Sequence, residues 1–275
     1  MKHSFITLAF ALALSCFATL QILCGQIVAA HQLSSPRVGA VRYVDGSVYL
    51  LYGLPNNYVL GPRVLDGVDA ASFSEGGGIV AQKGTLTLLG SDFSPIGTFE
   101  AGESKPLLGI NDNPSTAIAW LPAVQKLVHW NGQAFVSVSV PDLSREGEIS
   151  FVSKRDPKVA FLLLHSSSGS VSEVSISLQT GQVLSAATVV GVQGESFQHR
   201  SSIVSLDYRD LVIATPSNGN TRRFPLNADN LRMEQASSDC LHISSPATRR
   251  NWVLHFHNGD FDVAELPSPS ARVTK

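Results

Sequence analysis

Cysteine is almost missing from this sequence: of three in 275 residues, Cys16 and Cys24 fall inside an apolar N-terminal run, which leaves Cys240. A framework of internal disulfides is thereby excluded, and the fold must rest on its apolar core. Flanked by Leu241 and Ile243, Cys240 reads as a small buried filler rather than a reactive thiol. An excess of charge of either sign is also lacking. Lys and Arg number 20 against 22 Asp and Glu, so no global field would hold nucleic acid or an anionic membrane surface. The basic pairs Arg222-Arg223 and Arg249-Arg250 read as solvated turn and strand-end residues. Helical periodicity is missing as well. Neither a nucleophile elbow, a phosphate loop nor a paired-cysteine metal motif occurs, and no motif points to a cofactor.

What is present begins with residues 1–30, which have a basic start at Lys2, a long apolar run from Phe5 and the small pair Ala29-Ala30. This is the pattern of a secretory signal, with Val28 and Ala30 at the −3 and −1 positions of a cleavage site. An uncleaved anchor is the alternative, because the run approaches the roughly 20 residues that span a bilayer. Gln21 and Gln26 favour cleavage. The expected location is secreted or periplasmic, with membrane attachment only if the segment is retained. Residues 31–37 then form a linker, 38–267 the folded domain and 268–275 a flexible tail.

Between those ends, apolar and β-branched residues alternate or run in short blocks bounded by Gly, Asn, Asp, Ser and Pro, and the phrase recurs about every forty residues. The clearest unit is EISFVS (148–153), VAFLLLHS (159–166), SVSEVSISL (170–178) and VLSAATV (183–189), with Thr180-Gly181 turning its last pair. LLGIND, AIAWLP, KLVHW and AFVSVSV form the unit before it, with Asn131-Gly132 at the corresponding corner. AASFSE, IVAQ, TLTLLG and IGTFEA form the one before that. IVSLDY, DLVIATP, NTRRFPL and LRMEQA come next, then CLHIS, NWVLHFH and DFDVAEL. The last group has three strands. We therefore expect a ring of four-stranded blades, closed by an N-terminal strand from GAVRYV (39–44) or VLGPRVL (59–65), which removes exposed sheet edges. Five blades are definite on this reading, with a sixth if the leading hairpin around Asp45-Gly46 is a full blade.

The stretch VDAASFSEGGGIVAQKGTLTLLGSDFSPIGTFEAG resembles a β-propeller blade of the WD40 or YVTN kind, through the Ser72-Phe73-Ser74 strand, the Gly76-Gly77-Gly78 and Lys83-Gly84-Thr85 turns and the descending IGTFEA strand. No Trp-Asp dipeptide and no Tyr-Val-Thr-Asn run accompanies it. The resemblance implies an all-β propeller architecture and transfers no catalytic residue.

Two sets of side chains could carry chemistry. In the hairpin around Asn258-Gly259, period-two alternation places His257 opposite Asp260 and His255 opposite Asp262 on one face, with Phe256 opposite Phe261 and Leu254 opposite Val263 on the other. Two imidazoles and two carboxylates could ligate a divalent metal; cross-strand His–Asp pairing is the reading we favour. Propeller hydrolases need acids near the axis, and Glu75, Asp112 and Asp207 stand at or near the ends of inner strands. Trp120, Trp130 and Trp252 lie inside apolar strands and read as core. The expected function is a non-catalytic binding or scaffold module for an unknown protein or carbohydrate, with a hydrolase or lyase as the alternative.

Overall fold

A computed structural model describes residues 36–102, 105–143, 146–200, 202–215, 220–257 and 260–269. The N-terminal leader, most of the linker, most of the tail and the Asn258-Gly259 turn lie outside them. Among the described residues there are 23 strands, two short 3-10 turns and no α-helix. They form six antiparallel sheets.

The first sheet takes β1 (Arg37–Arg42), β2 (Val48–Leu54) and β3 (Asn57–Leu65). The second takes β4 (Ala70–Ser74), β5 (Gly77–Gln82), β6 (Thr85–Gly90) and β7 (Pro95–Glu100). β8 (Leu107–Gly109), β9 (Ile118–Leu121), β10 (Lys126–Trp130) and β11 (Phe135–Ser139) make the third. The fourth holds β12 (Glu148–Asp156), β13 (Val159–His165), β14 (Ser170–Ser177) and β15 (Val183–Gln193). In the fifth are β16 (Ser196–His199), β17 (Ser202–Asp207), β18 (Asp210–Thr215) and β19 (Asn220–Pro225). β20 (Arg232–Ser237), β21 (Cys240–Ser245), β22 (Arg250–His257) and β23 (Asp260–Leu266) complete the sixth.

The chain is a six-bladed β-propeller in which every sheet pairs its strands in chain order. The second to fourth blades match the sequence units. Their strands β5, β9, β10 and β13 are mostly buried, whereas their outer strands β7, β11 and β15 face water, as does β19 of the fifth blade. Cores form between blades: Trp120, Trp130 and Trp252 each lie in a different one, and Cys240 is buried at the junction of the sixth and first blades.

The expected ring closure needs correction in one respect. The last blade has four strands of its own, and among the described residues no N-terminal strand pairs with it. LRMEQA, assigned to the end of the preceding unit, supplies β20, the innermost strand of the sixth blade, while SFQH supplies β16 of the fifth. Both are short and carry Gln, Glu or His amid few apolar residues, so neither shows clear alternation.

The first blade, with three strands, differs in kind. Each complete blade begins at the axis and ends at the rim, so its first and fourth strands run in opposite directions. β3 precedes β4 from the rim; β1, two strands inward and parallel to β3, therefore runs against the inner strands. The contacts agree. Arg42 meets Glu234 while Gly39 packs on Ala236, an antiparallel alignment of β1 with β20. β1 to β3 thus fill the second, third and fourth places of a blade. The innermost place is bridged by β20 and β4 lying against each other, where Ser72 Oγ donates to Gln235 Oε1 at 3.3 Å.

Candidate functional site

The inner strands β4, β8, β12, β16 and β20 run in one direction, so their first residues gather at one mouth of the ring. Around a cavity of about 460 Å³ this brings together Glu148 at the start of β12, Glu195 just before β16, Arg232 and Glu234 of β20, and Arg42 from the end of β1. Phe151 and Phe197 meet edge to face in its wall, with centroids 4.5 Å apart, and Met233 adds a further apolar surface.

The charges are not independent. Arg42 Nη2 donates to Glu234 Oε1 at 2.6 Å and its Nε reaches both oxygens at 3.0 Å, a charge-assisted pair across the seam of the first and last blades. Burial still pushes the Glu234 carboxyl up, and Arg42 opposes it. Glu195 rises to about 7, chiefly through burial, with the charge of Glu148 adding and Arg232 opposing. A carboxyl raised to about 7 is available in both its protonated and ionised forms near neutral pH, which suits gripping hydroxyl groups or moving a proton. His165 Nε2 lies 3.9 Å from Glu148 Oε2, behind it in the β12–β13 ladder.

None of the three acids named from the sequence lines this mouth. Glu75 and Asp112 follow the far ends of β4 and β8, where the Gly76 turn packs against the Asp112 carbonyl oxygen. Asp207, at the end of β17, is tied by Arg223 Nη2 at 2.6 Å. Glu75 and Asp112 thus stand at the opposite ends of their inner strands from this cavity, whereas Asp207 closes the second strand of the fifth blade, near the start of β16. Glu148, heading the clearest strand, was open to detection by asking what stands before each inner strand; Glu195 and Glu234 needed β16 and β20 to be placed first.

On the sixth blade the hairpin register is the one expected: His255 opposite Asp262, His257 opposite Asp260, Phe256 opposite Phe261 and Leu254 opposite Val263. The four polar side chains do not act as a unit, because Arg222 takes Asp260. Asp262 serves both histidines, its Oδ1 lying 3.3 Å from His255 Nδ1 and 3.2 Å from His257 Nδ1, with the rings stacked 5.4 Å apart. From β3, Tyr58 donates its hydroxyl to Asp262 Oδ2 at 3.3 Å. His255, His257 and Asp262 are the residues here that could hold a metal.

No protein-family model matches the chain, and no curated protein does. Solved structures similar to it include Kuenenia stuttgartiensis hydrazine synthase, at 14% identity and a TM-score of 0.42 over 82% of this chain and 78% of that one. The Neurospora crassa Pan2 WD40 domain is similar at 11% identity and a TM-score of 0.43, over 86% and 80%. BamB from Moraxella catarrhalis is similar at 12% identity and a TM-score of 0.38, over 84% and 77%.

Proposed function

We propose that the chain is a binding module that takes a carbohydrate end group into the axial mouth. The observation that carries this reading is the convergence of Glu148, Glu195, Arg232 and the Phe151–Phe197 wall on one cavity of about 460 Å³. That volume lies within the roughly 300–1,000 Å³ of small-molecule pockets. Carboxylates and guanidinium groups suit paired hydroxyls, and an aromatic edge suits the apolar face of a sugar ring. Titration calorimetry against a panel of mono- and disaccharides tests it. Binding should be lost in Arg232→Ala and Glu195→Ala, and absence of binding by every sugar, with a captured protein ligand instead, would overturn the carbohydrate assignment.

A second reading, glycoside hydrolysis, is favoured by one observation: burial and the neighbouring Glu148 charge push Glu195 up to about 7, which suits a general acid with a second carboxylate in the same cavity. Turnover of aryl glycosides with a limb near pH 7, abolished in Glu195→Gln, would establish it over the binding module. Export is part of the proposal and rests on the leader pattern of residues 1–30. Intact-mass measurement of protein from its native host should give a chain beginning at His31.

A further inference from the structure

We propose that His255, His257 and Asp262 bind a zinc-class divalent cation at the seam between the first and last blades, independently of the axial mouth. Three observations lead there. One ligand atom from each residue lies within 4.8 Å of the other two. The two Nδ1 atoms approach the same Asp262 oxygen, at 3.2 and 3.3 Å. Ligands bound at about 2.0–2.1 Å around a tetrahedral ion stand roughly 3.3 Å apart, so the two His–Asp pairs already have the spacing such an ion imposes.

Direct pairing accounts for the cluster less well. His257 Nδ1 is sealed from water yet makes no well-formed hydrogen bond, because its distance to Asp262 is suitable and its direction is not. A cation between the three groups would satisfy that nitrogen through its lone pair. The surroundings are arranged for this outcome. Tyr58 occupies Asp262 Oδ2 and leaves Oδ1 facing the imidazoles, the outer-sphere contact that orients a ligating carboxylate. Arg222 holds Asp260 aside. The His257 side chain is 39% exposed against 11% for Asp262, so the outer face of the cluster lies at the surface. Two imidazoles and one carboxylate select zinc, nickel or copper over magnesium or calcium.

All three ligands sit on the β22–β23 hairpin, and the Tyr58 contact carries any stabilisation across to β3. The test uses the full purified chain stripped with chelator and then titrated with zinc chloride. One zinc per chain with a rise in Tm is expected, and magnesium should leave Tm unchanged. His257→Ala should abolish the zinc-dependent rise while leaving the metal-free Tm close to that of the parent, since this side chain is the most exposed of the three. Tyr58→Phe should keep the stoichiometry and weaken zinc binding by about 10–100-fold. Cobalt(II) should give visible absorption of a four-coordinate site that His257→Ala removes. No zinc response, or a response unchanged in His257→Ala, would overturn the proposal.

Discussion

At the scale of single residues, the interior holds polar groups that an all-β propeller has to satisfy locally. Lys154 is buried, and its Nζ donates to the Trp130 and Ser115 carbonyl oxygens at 2.6 and 2.8 Å, tying the fourth blade to the third. Burial lowers its pKa, and that of His129 beside it. His242, 1% exposed, uses Nε2 to donate to Asn251 Oδ1 at 3.1 Å, which fixes its neutral tautomer. Burial pushes His242 down to about 4, and does the same to His199, stacked on Phe256 at 4.0 Å. Unfolded, each would titrate near 6.5. Between about pH 6.5 and 4 the unfolded chain therefore binds protons that the folded chain refuses, so stability is intact above 6.5 and is lost as pH falls towards 4. The expected slope is up to about 1.4 kcal/mol per pH unit for each histidine. Denaturant titrations at pH 7, 6, 5 and 4 should show it, and His242→Gln should flatten the profile; an unchanged slope in that variant would refute the assignment.

At the scale of strands, backbone approach between neighbouring blades matters as much as side-chain packing. A Cβ on Gly39 of β1 would stand 2.2 Å from the Ala236 carbonyl oxygen of β20, and one on Gly109 of β8 would stand 2.1 Å from that of Val152 in β12. Neither obstacle is a flexible side chain. Gly39→Ala and Gly109→Ala should each cost about 1–3 kcal/mol through forced separation of neighbouring blades, read from urea midpoints at constant m; a midpoint equal to the parent's would show that the blades can part freely. The same scale explains what could be read from sequence. Blades whose second and third strands are apolar, such as VAFLLLHS, announced themselves, and the β22–β23 register followed from alternation around a two-residue turn. β16 and β20 did not, because strands lining an axis carry polar residues and lose the period-two signature. The acidic mouth was missed with them. Lys154, at the tail of a strand reading SKRD, carries no local sign of burial, which depends on the third blade lying beside it.

At the scale of the whole molecule, the first blade shields two cores. Its residues Val41, Leu51 and Tyr58 pack with Cys240, Val253 and Leu266 of the last blade, while Ala40, Val48 and Leu50 pack with Ala71, Phe73 and Val80 of the second. Deleting residues 37–66 should uncover both faces and yield aggregates on size exclusion rather than a cooperative monomer. A soluble variant with a single sharp unfolding transition would show that the remaining blades close without it. Elsewhere around the ring, adjacent blades are joined by a covalent connection, but the last and first blades meet through side chains and backbone contacts alone: Arg42 with Glu234, Tyr58 with Asp262, and the Tyr43 hydroxyl donating to the Pro267 carbonyl oxygen. The molecule is in that sense a split washer. Its cut edge also forms part of the rim of the axial mouth, since Arg42 and Glu234 belong to both. Prising the washer apart at this cut breaks no sheet ladder and no chain connection, so what keeps the ring round is the apolar core shared by its two ends and the three polar ties that clasp it.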